Sequence, residues 1–371
     1  MRHEILHLQK VAGIAGSETY LLSLLPALRE RGWEIRMLML HENEAGAFDF
    51  ARALEATGVS VDAIRLHADV DPLAFVRLAA YLAQRRPALL HTHLVHADVY
   101  GQLAAALAGV PVRFSTKHGF NEFRENRGFA LADRLVAGLA DVHIAVSRGL
   151  ARYLADTEGF DEDSFVIVHY GIRPGPPPAP YEGPPLLLCV GRLIPIKGHL
   201  VLLRAFATAR ERIPELELRI AGRGPLDGTL RALVSELGLA DHVRLLGHVV
   251  PIQRAIEAAS VVVVPSLGEG FGMVALEAME RARPVIGSAI GGLVDIVRDG
   301  ETGVLVPAAE AEPLAEAIVG LASDPERARR LGEAGRRQAL ARFSEERSLE
   351  RTELLYRSLL DAGADRNAAH R

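Results

Sequence analysis

Two glutamates around a glycine-rich turn form the pattern in this sequence that is best suited to chemistry. Glu269 lies in the turn, and Glu277 follows eight residues later, after Gly272, where a segment of helical character begins. Such a turn after the apolar run Val261–Val264 points backbone N–H groups and the positive end of a helix at the edge of a sheet, which favours an anion. Both carboxylates can face one ligand and accept hydrogen bonds from sugar hydroxyls. The alternative is a tight turn followed by a solvated glutamate.

Two cations that follow the apolar run Leu186–Val190 form the second pattern. Arg192 offers a planar fork to two phosphate oxygens, and Lys197 adds a compact charge five residues later. Open α/β sheets bind their ligands at the carboxyl ends of parallel strands. The pair therefore suits a diphosphate, although two solvated surface charges would give the same residues.

A weaker glycine turn follows the apolar segment Leu6–Gln9. It contains Gly13 and Gly16 and leads into a leucine-rich helix, for which Ser17 is the predicted N-cap. The turn lacks the full dinucleotide spacing, so it predicts only a helix start near a ligand.

A histidine in the first half lies where a sheet places its ligand-facing groups. His118 comes shortly after the strand that we predict at Val112–Ser115. A single histidine is more often structural than functional, so its position alone does not assign it a role.

Three further histidines resemble a metal cluster, but the sequence does not favour one. His91 and His93 share a strand face, and His96 follows them. The nearest carboxylate is Asp98, and no cysteine is available in this stretch. We therefore expect no metal at these histidines.

Two other motifs are expected to be structural. Asp69 and Asp71 could bind a metal, but Pro72 and the lack of a predicted strand before them favour a helix start. The glycines of the segment 222–228 imitate a dinucleotide fingerprint, but the third glycine comes one place late and no acid closes the next predicted strand. Nicotinamide binding is therefore not expected.

Short apolar runs of strand length alternate with segments of helical spacing along most of the chain. These runs include Ile35–Leu40, Ala88–His93, Val142–Ser147, Leu186–Val190, Leu216–Ala221, Val243–Leu246 and Val261–Pro265. Strands that are buried on both faces give continuous apolar runs, so this alternation predicts parallel sheets covered by helices. We expect an α/β fold with two doubly wound sheets.

A proline-rich stretch divides the chain near its middle. The prolines and glycines between residues 174 and 185 can continue neither a helix nor a central strand. We therefore expect a first domain over residues 1–173, a linker over 174–185 and a second domain over 186–345. Residues 346–371 are expected to add a C-terminal helix that frays after Asp361.

Composition and charge exclude several classes of protein. The 371 residues carry a net charge of −5, and 49% are hydrophobic and 24% charged, which is typical of a globular protein of about two domains rather than a disordered chain. The single cysteine, Cys189, excludes a disulfide framework. The first residues do not resemble a signal peptide, and no run approaches the ~18 apolar residues of a membrane span. We expect a cytoplasmic protein without nucleic acid partners.

In combination, these patterns resemble the retaining glycosyltransferases of family 4, also called the group 1 glycosyltransferases. This family has the GT-B fold, with two Rossmann-like domains that face a central cleft. The resemblance covers nearly the whole chain, and the ordered set is more specific than any one motif. The matching segments are Gly13–Glu18, His91–Gly101, Thr116–Gly119, Val142–Ser147, Val168–Ile172, Gly191–Gly198, Leu218–Pro225 and the two glutamates.

The resemblance implies transfer of a sugar from a nucleoside-diphosphate sugar, UDP- or GDP-linked, to a glycan, lipid-linked or small-molecule acceptor in cell-envelope polysaccharide or glycoconjugate synthesis. It also implies that no metal or other cofactor is needed. The C-terminal helix is expected to cross back to the first domain.

The resemblance also assigns roles. Arg192 and Lys197 would hold the diphosphate, Glu277 the ribose and Glu269 the hydroxyls of the sugar, while His118 would contact the sugar from the first domain. The implied catalytic residues are His118, Arg192, Lys197 and Glu269. The implied donor-binding residues are Gly13, Gly16, Arg192, Lys197, Glu269, Gly270, Phe271, Gly272, Met273, Val274 and Glu277.

Chemistry supports this assignment. Cations and a helix start around the leaving diphosphate stabilise its negative charge without a metal. In a glycosidase, by contrast, two carboxylates flank the scissile bond, whereas Glu269 and Glu277 belong to one helix start. An isomerase of the same architecture, a nucleotide-sugar epimerase, and a nucleotide-sugar binding protein without turnover stay open as alternatives.

The sequence departs from the family in two places. His169 and Tyr170 stand where many members have proline and asparagine, and Arg223 stands where many have a small or acidic residue. These departures leave the usual asparagine contact and the donor base unassigned.

A basic and aromatic stretch raises the alternative of peripheral membrane contact. Its members are Lys117, Phe120, Phe123, Arg124, Arg127, Phe129 and Arg134. Such a surface could bind an anionic membrane, but an ordinary amphipathic helix is favoured.

Overall fold

The structure is a computed structural model that describes residues 4–120, 127–176 and 179–369, with the backbone alone for 127–130 and 362–369. The chain divides into two compact units. The first comprises Met1–Gly171 together with Glu345–Arg371, and the second comprises Ile172–Ser344. The boundaries expected from the sequence were residues 173 and 345.

The first unit is built on a seven-stranded sheet with the order β3-β2-β1-β4-β5-β6-β7, and all neighbouring strands are parallel. Its strands are β1 Glu4–Lys10, β2 Glu34–His41, β3 Ser60–Arg65, β4 Leu89–His93, β5 Val112–Lys117, β6 Val142–Ala145 and β7 Phe165–Ile167. Its helices are α1 Gly16–Glu30, α2 Ala45–Glu55, α3 Pro72–Arg85, α4 Leu94–Ala108, α5 Arg127–Ala137, α6 Arg148–Glu158 and, at the C-terminus, α14 Glu345–Ala369. The strand order reverses between β1 and β4, so a ligand crevice is expected there.

The second unit repeats this plan with a six-stranded parallel sheet in the order β10-β9-β8-β11-β12-β13. Its strands are β8 Leu186–Val190, β9 Glu217–Ala221, β10 Val243–Gly247, β11 Val261–Val264, β12 Val285–Ser288 and β13 Val304–Val306. Its helices are α7 His199–Arg212, α8 Asp227–Glu236, α9 Ile252–Glu257, α10 Met273–Glu280, α11 Leu293–Ile296, α12 Ala311–Ala322 and α13 Pro325–Arg342. Here the order reverses between β8 and β11.

The α/β class with two doubly wound parallel sheets is confirmed. The sequence analysis missed β3, β7, β12 and β13. The first, Ser60–Arg65, is an edge strand that alternates polar and apolar residues, so it gives no continuous apolar run. The strands β7 and β13 have only three residues, which is too short for a periodic signal, and β12 ends in glycine and serine, so its apolar run is only two residues long.

Helices cover both faces of the first sheet. One face buries leucines of α1 and phenylalanines of the sheet and α2 together with Tyr356 of α14, and the other buries side chains of α3 and α4. Side chains that are removed from water on both faces anchor the strands, so the loops at their ends start from fixed positions.

The C-terminal helix α14 belongs to the first unit and packs on α1. The Trp33 indole donates a hydrogen bond of 2.7 Å to Glu353, and Arg31 pairs with Glu353 and Glu346. The helix continues to Ala369, so the fraying that was predicted after Asp361 is not seen in the described backbone.

The proline-rich segment is held against the second unit by polar contacts. The N–H of Gly175 donates to Glu280 over 2.8 Å, and Arg336 donates to the carbonyl of Gly175 over 3.0 Å. Arg283 reaches the carbonyl of Ala179. None of the helices in the described part of the chain is long and apolar enough to cross a membrane.

Candidate functional site

The loops that follow β8 and β11 bring a cation and a carboxylate into direct contact. These two strands are neighbours at the point where the order of the second sheet reverses. Lys197 lies after β8 and its Nζ is 2.6 Å from Oε2 of Glu269, which lies after β11. The Ser266 hydroxyl donates to the same oxygen over 3.1 Å. Two of the residues predicted from distant motifs therefore meet at the carboxyl edge of the sheet.

Close backbone packing joins these two loops. The N–H of Leu267 donates to the carbonyl of Ile196 over 2.7 Å. Gly198 has a φ of +69°, and a Cβ on it would lie 1.9 Å from the carbonyl oxygen of Pro265. Only glycine tolerates both conditions, so Gly198 sets the distance between the loop of Lys197 and the loop of Glu269.

Helix α10 starts directly after the loop of Glu269. Gly272 is its N-cap, with a φ of +105°, and the helix contains Met273 and Val274 in its first turn. The first N–H groups of a helix have no partner within the helix, so they are donors for an anion. The carbonyl of Glu269 accepts from the N–H of Gly292 over 2.9 Å, which fixes the turn from behind. Gly292 had no assigned role in the sequence analysis.

Glu277 lies half-buried in the second turn of α10. Burial, together with the nearby carboxylate of Glu280, raises the pKa of Glu277 to about 7. Glu280 itself is buried and pairs with Arg281 and Arg336. Glu277 therefore changes charge near neutral pH and presents its carboxylate as an acceptor above that pH.

Arg192 is exposed and makes no ion pair with any residue that the structure describes. Its carbonyl accepts from Nε2 of His199 over 3.0 Å, and the other ring nitrogen of His199 lies 3.5 Å from the sulfur of Cys189. Burial raises the pKa of the Cys189 thiol to about 12, so this cysteine is a packed neutral group.

The glycines of the segment 222–228 support the Arg192 loop. A Cβ on Gly222 would lie 1.8 Å from the carbonyl oxygen of Gly191, and the N–H of Leu193 donates to the carbonyl of Arg223 over 2.9 Å. The segment is therefore a backbone support for the loop after β8. The sequence analysis rejected it as a dinucleotide motif but did not find this role, for which its unusual glycine density was the only signal.

A cavity of about 590 Å³ lies elsewhere in the second unit. It is lined by the proline-rich segment and by α13, with Tyr181, Arg283 and Arg336 among its residues. None of the predicted site residues lines it, so we place the candidate site at the carboxyl edge, where the charged groups converge.

In the first unit, the turn with Gly13 and Gly16 follows β1, one of the two strands at the reversal point. The prediction that Ser17 caps α1 is wrong. The N-cap is Ala15, and the Glu18 carboxylate reaches back to accept from the N–H of Ala15 over 3.0 Å. The sequence signal that was overlooked is this glutamate three residues after the cap.

His118 directly follows β5 and is buried with both ring nitrogens engaged. Its Nε2 lies 2.8 Å from Nδ1 of His93, and its Nδ1 lies 2.5 Å from the Tyr170 hydroxyl. Burial lowers the pKa of His118 to about 3, so the ring is neutral at physiological pH. Tyr170, which departs from the family pattern, therefore contacts the predicted site histidine.

The histidines of β4 meet His7 of β1 and not His96. His7 pairs with His91 across the two strands, and one nitrogen from each of His7, His91 and His93 lies within 4.8 Å of the others. Nε2 of His96 instead lies 3.1 Å from Asp69. The sequence spacing suggested a cluster of His91, His93 and His96, but in the structure His7 takes the place of His96, because parallel pairing aligns β1 with β4.

A helix start explains Asp71, as predicted, whereas the Asp69 carboxylate pairs with Lys10. Asp71 is the N-cap of α3, and its carboxylate accepts from the N–H of Ala74 over 3.0 Å. The backbone hydrogen bonds to Asp71 lower its pKa to about 2. The expectation that no strand precedes this turn is wrong, because β3 ends at Arg65.

Lys117 is not part of a basic surface. It is buried, and its Nζ lies 2.8 Å from both Asp98 and Asp133. Phe120 packs against Tyr153. Arg124 and Phe123 lie outside the described residues, and so do the side chains of Arg127 and Phe129, so the described residues do not support the alternative of a basic membrane-binding surface.

Comparisons with known proteins agree with the two-unit architecture. The family model for glycosyl transferases group 1 matches residues 176–338, and that for the glycosyl transferase 4-like domain matches residues 15–171. Anabaena HepE, solved in complex with UDP, is 19% identical with a TM-score of 0.81, covering 96% of this chain and 100% of that one.

Curated relatives are similar over much of the chain. A D-inositol 3-phosphate glycosyltransferase of Nocardia farcinica is 35% identical over 268 residues, which cover 67% of this chain and 56% of that protein. An alpha-maltose-1-phosphate synthase of Mycolicibacterium smegmatis is 31% identical over 312 residues, which cover 73% of this chain and 79% of that protein. The match thus spans about half the length of the first relative and most of the second. The chain belongs to the group 1 glycosyltransferases and has their GT-B fold.

Proposed function

We propose that this protein transfers a sugar from a nucleoside-diphosphate sugar to an acceptor hydroxyl with retention of the anomeric configuration. The observation that carries the proposal is the contact between Lys197 and Glu269 at the reversal point of the second sheet, directly before the start of α10. A cation and a helix N-terminus suit the diphosphate of such a donor, and a carboxylate suits its sugar hydroxyls.

The leaving diphosphate is the centre of the proposed reaction. As the bond between the anomeric carbon and the phosphate oxygen breaks, negative charge grows on that oxygen. Lys197 is held by Glu269, and the N–H groups of Gly272, Met273 and Val274 are held by the start of α10, so these donors stabilise the charge with little reorganisation, and the exposed Arg192 adds its guanidinium. The same oxygen takes the proton of the acceptor hydroxyl, and the proposal therefore requires neither a protein nucleophile nor a metal.

Lys197 and Glu269 bind different parts of the donor, the phosphate and the sugar. An ammonium group has three hydrogens, so Lys197 can keep its contact with Glu269 while it donates to a phosphate oxygen. The second oxygen of Glu269 then accepts from hydroxyls of the transferred sugar. Glu277 accepts from the ribose hydroxyls, and Gly270 and Phe271 shape the turn that separates the two carboxylates.

The first unit is proposed to take the acceptor at its own carboxyl edge. Gly13 and Gly16 follow β1 there, and His118 follows β5. Because both ring nitrogens of His118 are held by protein groups, we propose that it contacts the substrate through its ring face or backbone. A UDP-linked or GDP-linked donor is proposed, and the UDP complex of the Anabaena protein favours the first. Glycans, lipid-linked saccharides and small molecules are all retained as acceptor classes.

A donor-binding experiment tests the proposal. We expect one of UDP-, GDP- or ADP-linked sugars to raise the melting temperature of the wild-type protein, because a ligand that binds only the folded state stabilises it. Arg192→Ala should lose this shift. Arg212→Ala is the matched control, since Arg212 is an exposed arginine at the far end of α7 that pairs with Glu316. Equal shifts in both variants would contradict the diphosphate assignment.

Turnover distinguishes transfer from the alternatives. We expect Glu269→Ala and Arg192→Ala to fold normally and to lose sugar transfer. Conversion of the donor without any acceptor would identify an isomerase instead. Tight donor binding without chemistry towards any acceptor would identify a binding protein. Transfer that persists in both variants would contradict the proposed site.

A further inference from the structure

Seven buried groups of the first unit form one continuous series of hydrogen bonds. The series begins at Thr116 and passes through His91, Tyr356, His7, His93 and His118 to Tyr170. Its six successive distances are 2.6, 2.6, 3.4, 3.0, 2.8 and 2.5 Å. The histidines come from β1, from β4 and from the loop after β5, and Tyr356 comes from α14. Residues that are 349 positions apart in the sequence are thereby linked through side chains.

Every ring nitrogen of the four histidines has a partner within this series. His91 uses Nδ1 for Tyr356 and Nε2 for Thr116, and His7 uses Nδ1 for His93 and Nε2 for Tyr356. His93 and His118 likewise use both nitrogens. All seven groups are at most 8% exposed, so water is largely excluded.

Counting hydrogens shows that the series has two states when the Tyr356 hydroxyl donates within it, because a hydroxyl that only accepts would leave its own hydrogen without a partner in the series. A neutral histidine carries one ring hydrogen and tyrosine carries one hydroxyl hydrogen. The five inner groups therefore supply five hydrogens for six bonds, and the sixth comes from Thr116 or Tyr170. If Thr116 supplies it, all four histidines carry Nδ1–H; if Tyr170 supplies it, all four carry Nε2–H. The tautomers cannot be chosen independently.

We propose that this series is a tautomer-coupled chain that links the tautomer and ring orientation of His118 to Tyr356 of α14. His93 and Tyr356 are then positioning residues, because they act on His118 and not on the substrate. The positioning role rests on the proposed function, which places His118 at the substrate, whereas the coupling of the tautomers does not.

A metal at His7, His91 and His93 is the competing interpretation of the same cluster. A metal ligand must offer the lone pair of the nitrogen that binds the metal. In the structure those nitrogens already make hydrogen bonds with one another, with Tyr356 and with Thr116. Ligation would break several of these bonds at once, so the geometry favours the hydrogen-bonded chain.

Nitrogen-15 NMR of the wild-type protein tests the coupling directly. Protonated and unprotonated ring nitrogens have well-separated shifts, so each histidine reports its tautomer. We expect His7, His91, His93 and His118 to be neutral and to share one tautomer. A mixture of tautomers among the four would overturn the proposal, and so would stoichiometric Zn²⁺ uptake that is lost in His91→Asn.

Tyr356→Phe tests the central link while keeping the ring that packs against Phe114 and Trp33. Without the hydroxyl, Nε2 of His7 and Nδ1 of His91 each lose their partner. A buried N–H without an acceptor is rarer than a buried lone pair without a donor, so we expect neither nitrogen to carry a hydrogen. We expect His91 to carry Nε2–H while His7, His93 and His118 carry Nδ1–H. Tyr81→Phe is the matched control, since the Tyr81 hydroxyl donates to Asp62, which is not part of this hydrogen-bonded series. Uniform tautomers in Tyr356→Phe would contradict the inference.

Two amide substitutions at His93 test the positioning role. The amide of asparagine replaces Nδ1 and keeps the bond to His118, whereas that of glutamine replaces Nε2 and keeps the bond to His7. Both remove a buried ring, so a purely structural role predicts equal losses. We expect kcat of His93→Gln to be about tenfold below that of His93→Asn, with similar KM for the donor. Equal kcat values would refute the positioning role. Absence of transfer in the wild type would refute the proposed function and leave the NMR test valid.

Discussion

At the scale of single residues, Glu277 couples the proposed donor site to pH. Its pKa of about 7 results from burial first and from Glu280 second. Ribose hydroxyls donate to a carboxylate, so the ionised form should bind the nucleotide. The ionised fraction rises about tenfold between pH 6 and pH 8 for such a pKa. We expect the affinity for an intact nucleotide sugar to rise by about the same factor, measured by calorimetry.

The control for this prediction is Glu277→Gln, which keeps the size of the side chain. We expect it to bind the donor weakly and with the same affinity at both pH values. The intact nucleotide sugar is used because its diphosphate does not titrate in this range. A pH dependence that survives in Glu277→Gln would assign the titration to another group.

At the scale of structural elements, the approach of two loops decides the geometry of the site. Lys197 and Glu269 meet because Gly198 lets the loop after β8 contact the carbonyl of Pro265. We expect Gly198→Ala to lower the free energy of unfolding of the second unit by about 3 kcal/mol or more, from left-handed strain and overpacking. Donor-induced stabilisation should be lost as well. Urea unfolding and thermal shift measure the two effects.

Gly238 provides the matched control for this substitution. It has a φ of +68°, nearly equal to that of Gly198, but a Cβ there would meet no atom within 4 Å. Gly238→Ala should therefore cost only the left-handed strain of about 1–2 kcal/mol and leave donor binding intact. If the two variants behave alike, the contact with Pro265 does not set the loop geometry.

At the scale of the whole molecule, the buried histidines make stability depend on acid. Burial lowers the pKa of His7 and His118 to about 3 and that of His91 and His93 well below 6.5. Below pH 6.5 the unfolded chain therefore binds protons that the folded chain does not, and stability falls as the pH falls. Below pH 6.5, each histidine that stays neutral in the folded chain lowers the free energy of unfolding by about 1.4 kcal/mol for each pH unit.

Urea unfolding at pH 7.5 and pH 5.5 measures this effect. Trp33 is the only tryptophan in the sequence and lies in the first unit against Tyr356, so its fluorescence reports the unit that contains the histidines. We expect the free energy of unfolding of the first unit to be several kcal/mol lower at pH 5.5. Equal stability at the two pH values would show that these histidines titrate normally.

The sequence by itself determined the fold class and the family. The alternation of apolar runs and helical segments predicted two parallel sheets because buried strands and covering helices differ in period. The ordered motifs from Gly13 to Glu277 identified the family. The glycine-rich turn before α10 and the cations after β8 were recognisable because anion sites at strand ends use few residue types.

Only the tertiary structure decided which side chains meet. Strand pairing placed His7 beside His91 and left His96 with Asp69, and α14 brought Tyr356 to them from the other end of the chain. The tertiary structure also buries Lys117 between Asp98 and Asp133, whereas the sequence suggested a surface cation. Such contacts depend on strand order and register, which join residues far apart in the chain. Local sequence periodicity therefore does not predict them.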